Sequence, residues 1–298
     1  AVTSGADTIV NAPVGGVTMG ANGSVTAVDD VSFNFTSGSL QLGSSSVLSM
    51  TNFVLTSDSG NVTVSTQASW TASSNMDLTL SSGVLFYDDS FALKTGSNLS
   101  ISATSGAVEL SDSGLLEVGA NLAVATGSAS ISVGNNWNVS VFTDASVTST
   151  SGSCTIGTVS TLAALGGKLD WDLSAGSLTV EDDLTWTSGT SMSLTVGSSG
   201  TVDLGNDGSL SSGSSMSMSS ATTTIGTGSM LSAGTTMDLD STTGGTTVGQ
   251  GAAWTSADAM TIDSSTGPLQ FAADADLQST AGSMALASDS GAISFTDN

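Results

Sequence analysis

The sequence predicts an all-β fold, a parallel β-helix (β-solenoid) of about twelve coils of ~23 residues, each coil built from three short strands. Three observations predict it. Glycines recur at a near-constant spacing, apolar residues recur at fixed distances behind each glycine, and no stretch shows the 3.6-residue rhythm of an amphipathic helix. The clearest coils open at Gly38, Gly60, Gly106, Gly152, Gly176, Gly200, Gly244, Gly267 and Gly291, and weaker ones near Gly15, Ser82, Ala129 and Ala221.

Residues 1–14, which include Pro13, do not complete a coil and are expected to form a cap or lead-in; residues 15–298 then form one solenoid domain. In the coil from Gly60 the first strand is Val62-Thr63-Val64, whose alternation buries one face. A turn follows, and then the second strand carries a single large inward residue, Trp70. Ser73-Ser74-Asn75 is turn chemistry, since short polar side chains bond their own backbone. The third strand, Met76-Asp77-Leu78-Thr79-Leu80, alternates again. The coil from Gly176 repeats the pattern with Leu178, Val180, Trp186, Met192, Leu194 and Val196.

Stacked coils place equivalent residues in columns ~4.8 Å apart, so that twelve coils extend ~60 Å. The second-strand column reads Val25, Leu48, Trp70, Leu116, Val139, Leu162, Trp186, Leu210, Leu231, Trp254, Leu277, all apolar. The third-strand column reads Val31, Met76, Leu99, Leu122, Met192, Met216, Met237, Met260, with Leu169 and Met284 one place late. The tryptophans and methionines are therefore core rather than sugar platforms or metal ligands, and Cys154 takes the place of Val62 as a small buried hydrophobe. The stretch 128–150, with Trp137 and Phe142, fits least well and is expected to hold a bulge. At the other end Gly291-Ala292-Ile293-Ser294-Phe295 opens a further coil, which predicts that the chain continues or stacks there.

Composition narrows function by charge. Lys94 and Lys168 are the only basic residues against 26 acidic ones, for a net charge of −24 with no histidine. Nucleic acid and anionic lipid bind through Lys and Arg, so neither is an expected partner. No apolar run approaches the ~20 residues of a membrane-spanning helix. A single cysteine excludes an internal disulfide framework.

Acidic residues gather at the first turn of the coil: Asp88, Asp89, Asp112, Asp182, Asp183, Asp207 and Asp274. Carboxylates on neighbouring coils repel unless a cation lies between them, and oxygen-only turn ligands suit Ca²⁺. The competing reading is that Asp is a good solvated turn former, and no segment matches a known calcium loop. No other cofactor is implied. As catalysts, Asp182 with Asp207 make the best carboxylate pair for a glycosidase, but a lyase-type base would need Arg, Lys or His nearby; an enzyme is not expected. Five Asn-x-Ser/Thr sequons, at Asn22, Asn34, Asn61, Asn98 and Asn138, are candidate glycosylation sites in a secreted protein. Outward threonine arrays would suggest ice binding, but Thr222-Thr223-Thr224 stands isolated.

The coil pattern from Gly15 onward resembles the superfamily of secreted parallel β-helix proteins that includes adhesin passengers and surface-fibre repeats. No family-diagnostic motif accompanies it, so no functional residue carries over. The resemblance implies an extracellular structural protein, a rigid rod serving as a segment of a filament, appendage or adhesin stalk. Its expected partners are further solenoid stacked along the axis and other extracellular structural proteins. A Ca²⁺-dependent or glycan-binding adhesin module is the alternative, with an ice-binding solenoid or a polysaccharide-degrading β-helix enzyme behind it.

Overall fold

Alternation of apolar with hydroxyl-bearing residues becomes strand after strand, 35 of them, with no helix among the described residues. The structure, a computed structural model, describes residues 1–296; the last two positions of the expected 15–298 solenoid, 297 and 298, lie outside the described residues. The strands form a parallel β-solenoid of about 13 turns at ~23-residue spacing. The extra turn comes from the segment expected to cap the solenoid. Val2–Ser4 and Thr8–Ala12 are themselves strands, in register with Ser24–Ala27 and Val31–Phe35 of the following coil.

The chain divides into two compact units, Ala1–Thr143 and Asp144–Asn298. In the first, the second-strand column runs in register through Val2, Val25, Leu48, Trp70, Leu93, Leu116 and Val139. The third-strand column runs through Thr8, Val31, Phe53, Met76, Leu99 and Leu122. Both match the sequence columns, with Val2 and Leu93 added to the first and Thr8 and Phe53 to the second. Leu48, Val62, Val64, Trp70, Met76 and Leu78 are all buried, while Leu116 sits slightly nearer the surface. An aromatic cluster fills the middle of this unit: Phe53 lies 5.0 Å from Trp70, which lies 5.5 Å from Tyr87, itself stacked on Phe91 at 4.2 Å. Each such ring contributes ~2–3 kcal/mol by leaving water. Met76–Tyr87 and Leu99–Leu110 run unbroken round a corner at Gly83 and Gly106, where φ is 125° and 135°.

The second unit repeats the plan. Leu162, Trp186, Leu210, Leu231, Trp254 and Leu277 form one column. Leu169, Met192, Met216, Met237, Met260 and Met284 form another. Leu194 completes the buried set in its strand, and Trp171 stacks on Trp186 at 5.1 Å. Cys154 is buried as expected, and burial pushes its thiol well above the ordinary cysteine range.

The coil glycines have a steric origin. A Cβ on Gly38, Gly60, Gly106, Gly176, Gly200 or Gly291 would fall onto the carbonyl oxygen of the glycine one coil earlier. At these glycines the backbones of successive coils pass too close for a side chain. Serine fastens the same corner: Ser57 Oγ accepts from the Gly60 amide at 3.1 Å and donates to its carbonyl at 3.0 Å. Ser149 accepts from Gly152 and Ser288 from Gly291 in the same way, and Ser264 donates to the Gly267 carbonyl.

Irregularity lies elsewhere than expected. Ser130–Val133 and Asn138–Val141 hold their register, with Leu110 opposite Val133 and Leu115 opposite Asn138. The misfit there comes from Trp137, buried over Gly114, and from Phe142, which is exposed. The register shifts instead between Ser220 and Thr222, where Ala221 replaces the corner glycine. Beside it the core turns polar: Ser220, Thr223, Ser241 and Thr246 are buried and bond one another at 2.8–3.2 Å. The pairing matters because a buried hydroxyl without a partner costs ~1–3 kcal/mol.

Candidate functional site

The first corner of each coil, where the acidic candidates lie, is made by one residue in the left-handed conformation. In the first unit these are Asn22, Ser45, Gln67, Ser90, Ser113 and Asn136. In the second they are Val159, Asp183, Asp207 and Asp274, with Gly228 and Gly251 at positive φ in the same series. Left-handed geometry brings Cβ against the following carbonyl, and Asn, Asp and Gly tolerate it best. Three of the first-turn acidic residues, Asp183, Asp207 and Asp274, thus hold the bend itself, at φ 59°, 56° and 59°. Asp207 leans over the next corner, where a Cβ on Gly228 would meet its Oδ1.

Asp89, Asp112 and Asp182 sit just before the bend and bond forward to the next coil. Asp89 Oδ1 accepts the Asp112 amide at 3.1 Å. Asp112 Oδ1 accepts both the backbone amide and Nδ2 of Asn135, at 2.7 and 3.2 Å. Asp182 Oδ1 does the same for Asn206, at 2.7 and 3.1 Å, and Asn206 Oδ1 takes the Thr227 amide at 2.9 Å. Asp88 lies one position earlier and accepts the amide of Asp89 at 2.9 Å. Asp88, Asp89 and Asp112 belong to the first unit, Asp182, Asp183 and Asp207 to the second. Among the described residues no three His, Cys, Asp or Glu side chains gather as a metal-binding group. The geometry gives Asp89, Asp112 and Asp182 a definite task, which is to clip each coil to the next.

A second and longer clip was legible in the sequence and overlooked. At the second corner Asp7, Asp30, Asn52, Asn75, Asn98 and Asn121 recur every 22 or 23 residues, immediately before the third strand. Asp7 Oδ1 accepts the Asp30 amide at 3.2 Å, and Asn52 Oδ1 that of Asn75 at 3.1 Å. Asn75 and Asn98 each accept both the backbone amide and Nδ2 of the next asparagine, at 3.0–3.3 Å. In the second unit Asp144 accepts the Lys168 amide at 2.8 Å.

This sorts the sequons. Asn98 spends Nδ2, the atom a glycan would occupy, on the clip to Asn75, and Asn34 spends its own on Asn11 Oδ1 at 3.0 Å. Asn22, Asn61 and Asn138 are exposed, Asn22 at a bend and Asn138 on an outward strand face. Asn61 uses Oδ1, not Nδ2, to accept the Val84 amide at 3.0 Å.

Two groups invisible to the turn-based reading lie on the outer face of the third ladder of strands in the second unit. Asp240 and Asp263 stand opposite one another on adjacent coils, and each has one buried carboxylate oxygen without a partner. Burial, then the charges of Asp263 and Asp238, hold the Asp240 carboxyl above the usual aspartate range. A threonine column also emerges. Thr155, Thr179, Asp203, Thr224 and Thr247 align on one outward face, so that Thr224 is not isolated after all. Unequal coil lengths hid this alignment from the sequence.

Compared with protein-family models, curated proteins and solved structures, the chain matches none, and its fold rests on its own strands and registers.

Proposed function

We propose that the chain is an extracellular structural protein without enzymatic activity, a rigid β-helical segment of a filament, appendage or adhesin stalk. The observation that carries this reading is the use made of the corners. Side chains at all three bond from coil to coil, on Asp112 and Asp182 at the first, Asn75 and Asn98 at the second, and Ser59 and Ser82, which donate to the Thr36 and Asp58 carbonyls, at the third. Such clips add to the parallel backbone ladders and stiffen the solenoid along its axis, where each repeat leans only on its neighbours. The exterior supports an extracellular setting: rich in hydroxyls, charged at −24, and with only Lys94 and Lys168 as trypsin sites. The same charge disfavours nucleic acid and anionic membrane as partners. The fitting partner is further solenoid, stacked strand edge to strand edge, together with other structural proteins of the same surface.

Electron microscopy of material from the native source tests the proposal. Filaments or stalks labelled by an antibody to this chain are the expected result. Dispersed single particles, labelled but never part of a larger structure, would overturn it.

A further inference from the structure

We propose that the first unit carries a binding site for a neutral saccharide, in a recess of about 270 Å³ on its outer surface. Two short columns of side chains form its sides. One is Asn11, Asn34 and Thr56, stacked in register on three successive coils. The other is Pro13, Thr36 and Asp58, at the corner where each of those strands ends.

The recess is pre-formed. Asn34 donates from Nδ2 to Asn11 Oδ1 at 3.0 Å, which fixes the orientation of both amides. Ser59 Oγ donates to the Thr36 carbonyl at 2.9 Å, and Ser82 Oγ donates to that of Asp58 at 3.0 Å, which pins the corner wall. A ligand therefore meets groups that need little ordering on binding.

The chemistry of those groups selects the ligand. The Asn11 Nδ2 donates, the Asn34 Oδ1 and Asp58 carboxylate accept, and the hydroxyls of Thr36 and Thr56 do either. A sugar hydroxyl also gives one hydrogen bond and accepts others, so a polyol satisfies this mixture where a hydrocarbon would leave groups unpaired. Pro13 adds a small apolar surface suited to the C–H face of a pyranose. Asp58 repels carboxylates and phosphates, and neither lysine of the chain lines the recess to offset it. The volume admits one sugar ring with its water, which limits affinity to the millimolar range.

The proposal is independent of the structural reading above, and either can fail alone. The test is saturation-transfer NMR on the whole chain made in a host without N-glycosylation, so that the Asn34-Phe35-Thr36 sequon carries no sugar of its own. The probes are D-glucose, D-galactose, D-mannose and N-acetyl-D-glucosamine at about 20 mM, with D-glucuronate as the anionic control. Transfer to at least one neutral sugar is expected, falling about fivefold or more in Thr56→Val and in Asp58→Ala, each of which removes hydrogen-bonding groups from the wall. Thr79→Val, the next position in the Thr56 column and outside the recess, should leave transfer unchanged. Thr56→Val preserves shape and strand preference, and a melt of each variant confirms that it is folded. Absence of transfer to all four sugars overturns the proposal. So does equal transfer in wild type and both recess variants, or transfer to glucuronate as strong as to any neutral sugar.

Discussion

Val159 provides a direct measure of what the first corner costs. It has φ 54°, is 53% exposed, and is the one β-branched residue among the ten non-glycine residues at positive φ in the described part of the chain. Left-handed backbone costs an L-residue ~1–2 kcal/mol, and branching at Cβ puts valine at the upper end of that range. Asparagine, which holds the same bend at Asn22 and Asn136, relieves part of the cost and keeps a similar volume against the corner. Because Val159 is more than half exposed, little apolar burial is lost in exchange. Val159→Asn should therefore stabilise the second unit by ~0.5–1 kcal/mol, a rise in Tm of ~1–4 °C. The reverse change at the following corner, Asp183→Val, should destabilise by ~1–2 kcal/mol. Urea unfolding at constant m-value reads both. If Val159→Asn proves neutral or destabilising while Asp183→Val is tolerated, backbone strain does not govern residue choice at this corner and the argument fails.

The remaining predictions concern the clips and one carboxylate pair. Gly60→Ala should cost ~3 kcal/mol or more, because its Cβ lands on the Gly38 carbonyl, whereas Gly5→Ala, with open space around it, should change urea stability by less than ~0.5 kcal/mol. Asn75→Ala removes the acceptor for two Asn98 donors and should cost ~1–2 kcal/mol, with faster hydrogen exchange at the Asn98 amide. Asp240 has its carboxyl raised in the folded state, so its ionised form destabilises the fold above that raised value and the penalty disappears as pH falls below the unfolded value of 3.8. Asp240→Asn should thus raise Tm at pH 7 and lose that advantage below about pH 4; an equal gain at both pH values would show that charge is not the cause.

The core columns were legible because a parallel solenoid keeps its inward positions in fixed phase with its glycines. Trp70 and Trp186, or Met76 and Met192, are recognisable as equivalents without coordinates. The acidic first turn was found for the same reason, but its meaning was not. Sequence spacing places Asp89 near Asp112, yet only the register shows that Asp89 Oδ1 points at a backbone amide rather than across at another carboxylate. The asparagine clip was present in the spacing of Asp30, Asn52, Asn75 and Asn98, and was missed because polar turn residues look alike until one knows which donor each faces. The bulge was misplaced since Trp137 disturbs the pattern without disturbing the ladder, whereas Ala221 alters the ladder while leaving the pattern almost intact.

What the sequence determined by itself was therefore periodic: the strand alternation, the coil length, the inward columns, and the glycines that let successive backbones pass in contact. These follow from local geometry repeated along the chain, and each coil carries the same instruction. What the tertiary structure decided was lateral. It brought Asn11, Asn34 and Thr56 into one wall, set Asp240 against Asp263, lined up Thr155 with Thr179 and Thr224, and gave Asp89, Asp112 and Asp182 their amide partners. Those neighbours are a full coil apart, and coils differ by one to three residues in length. The face a side chain meets depends on where each corner absorbs the difference, and that is settled only when the coils close on one another.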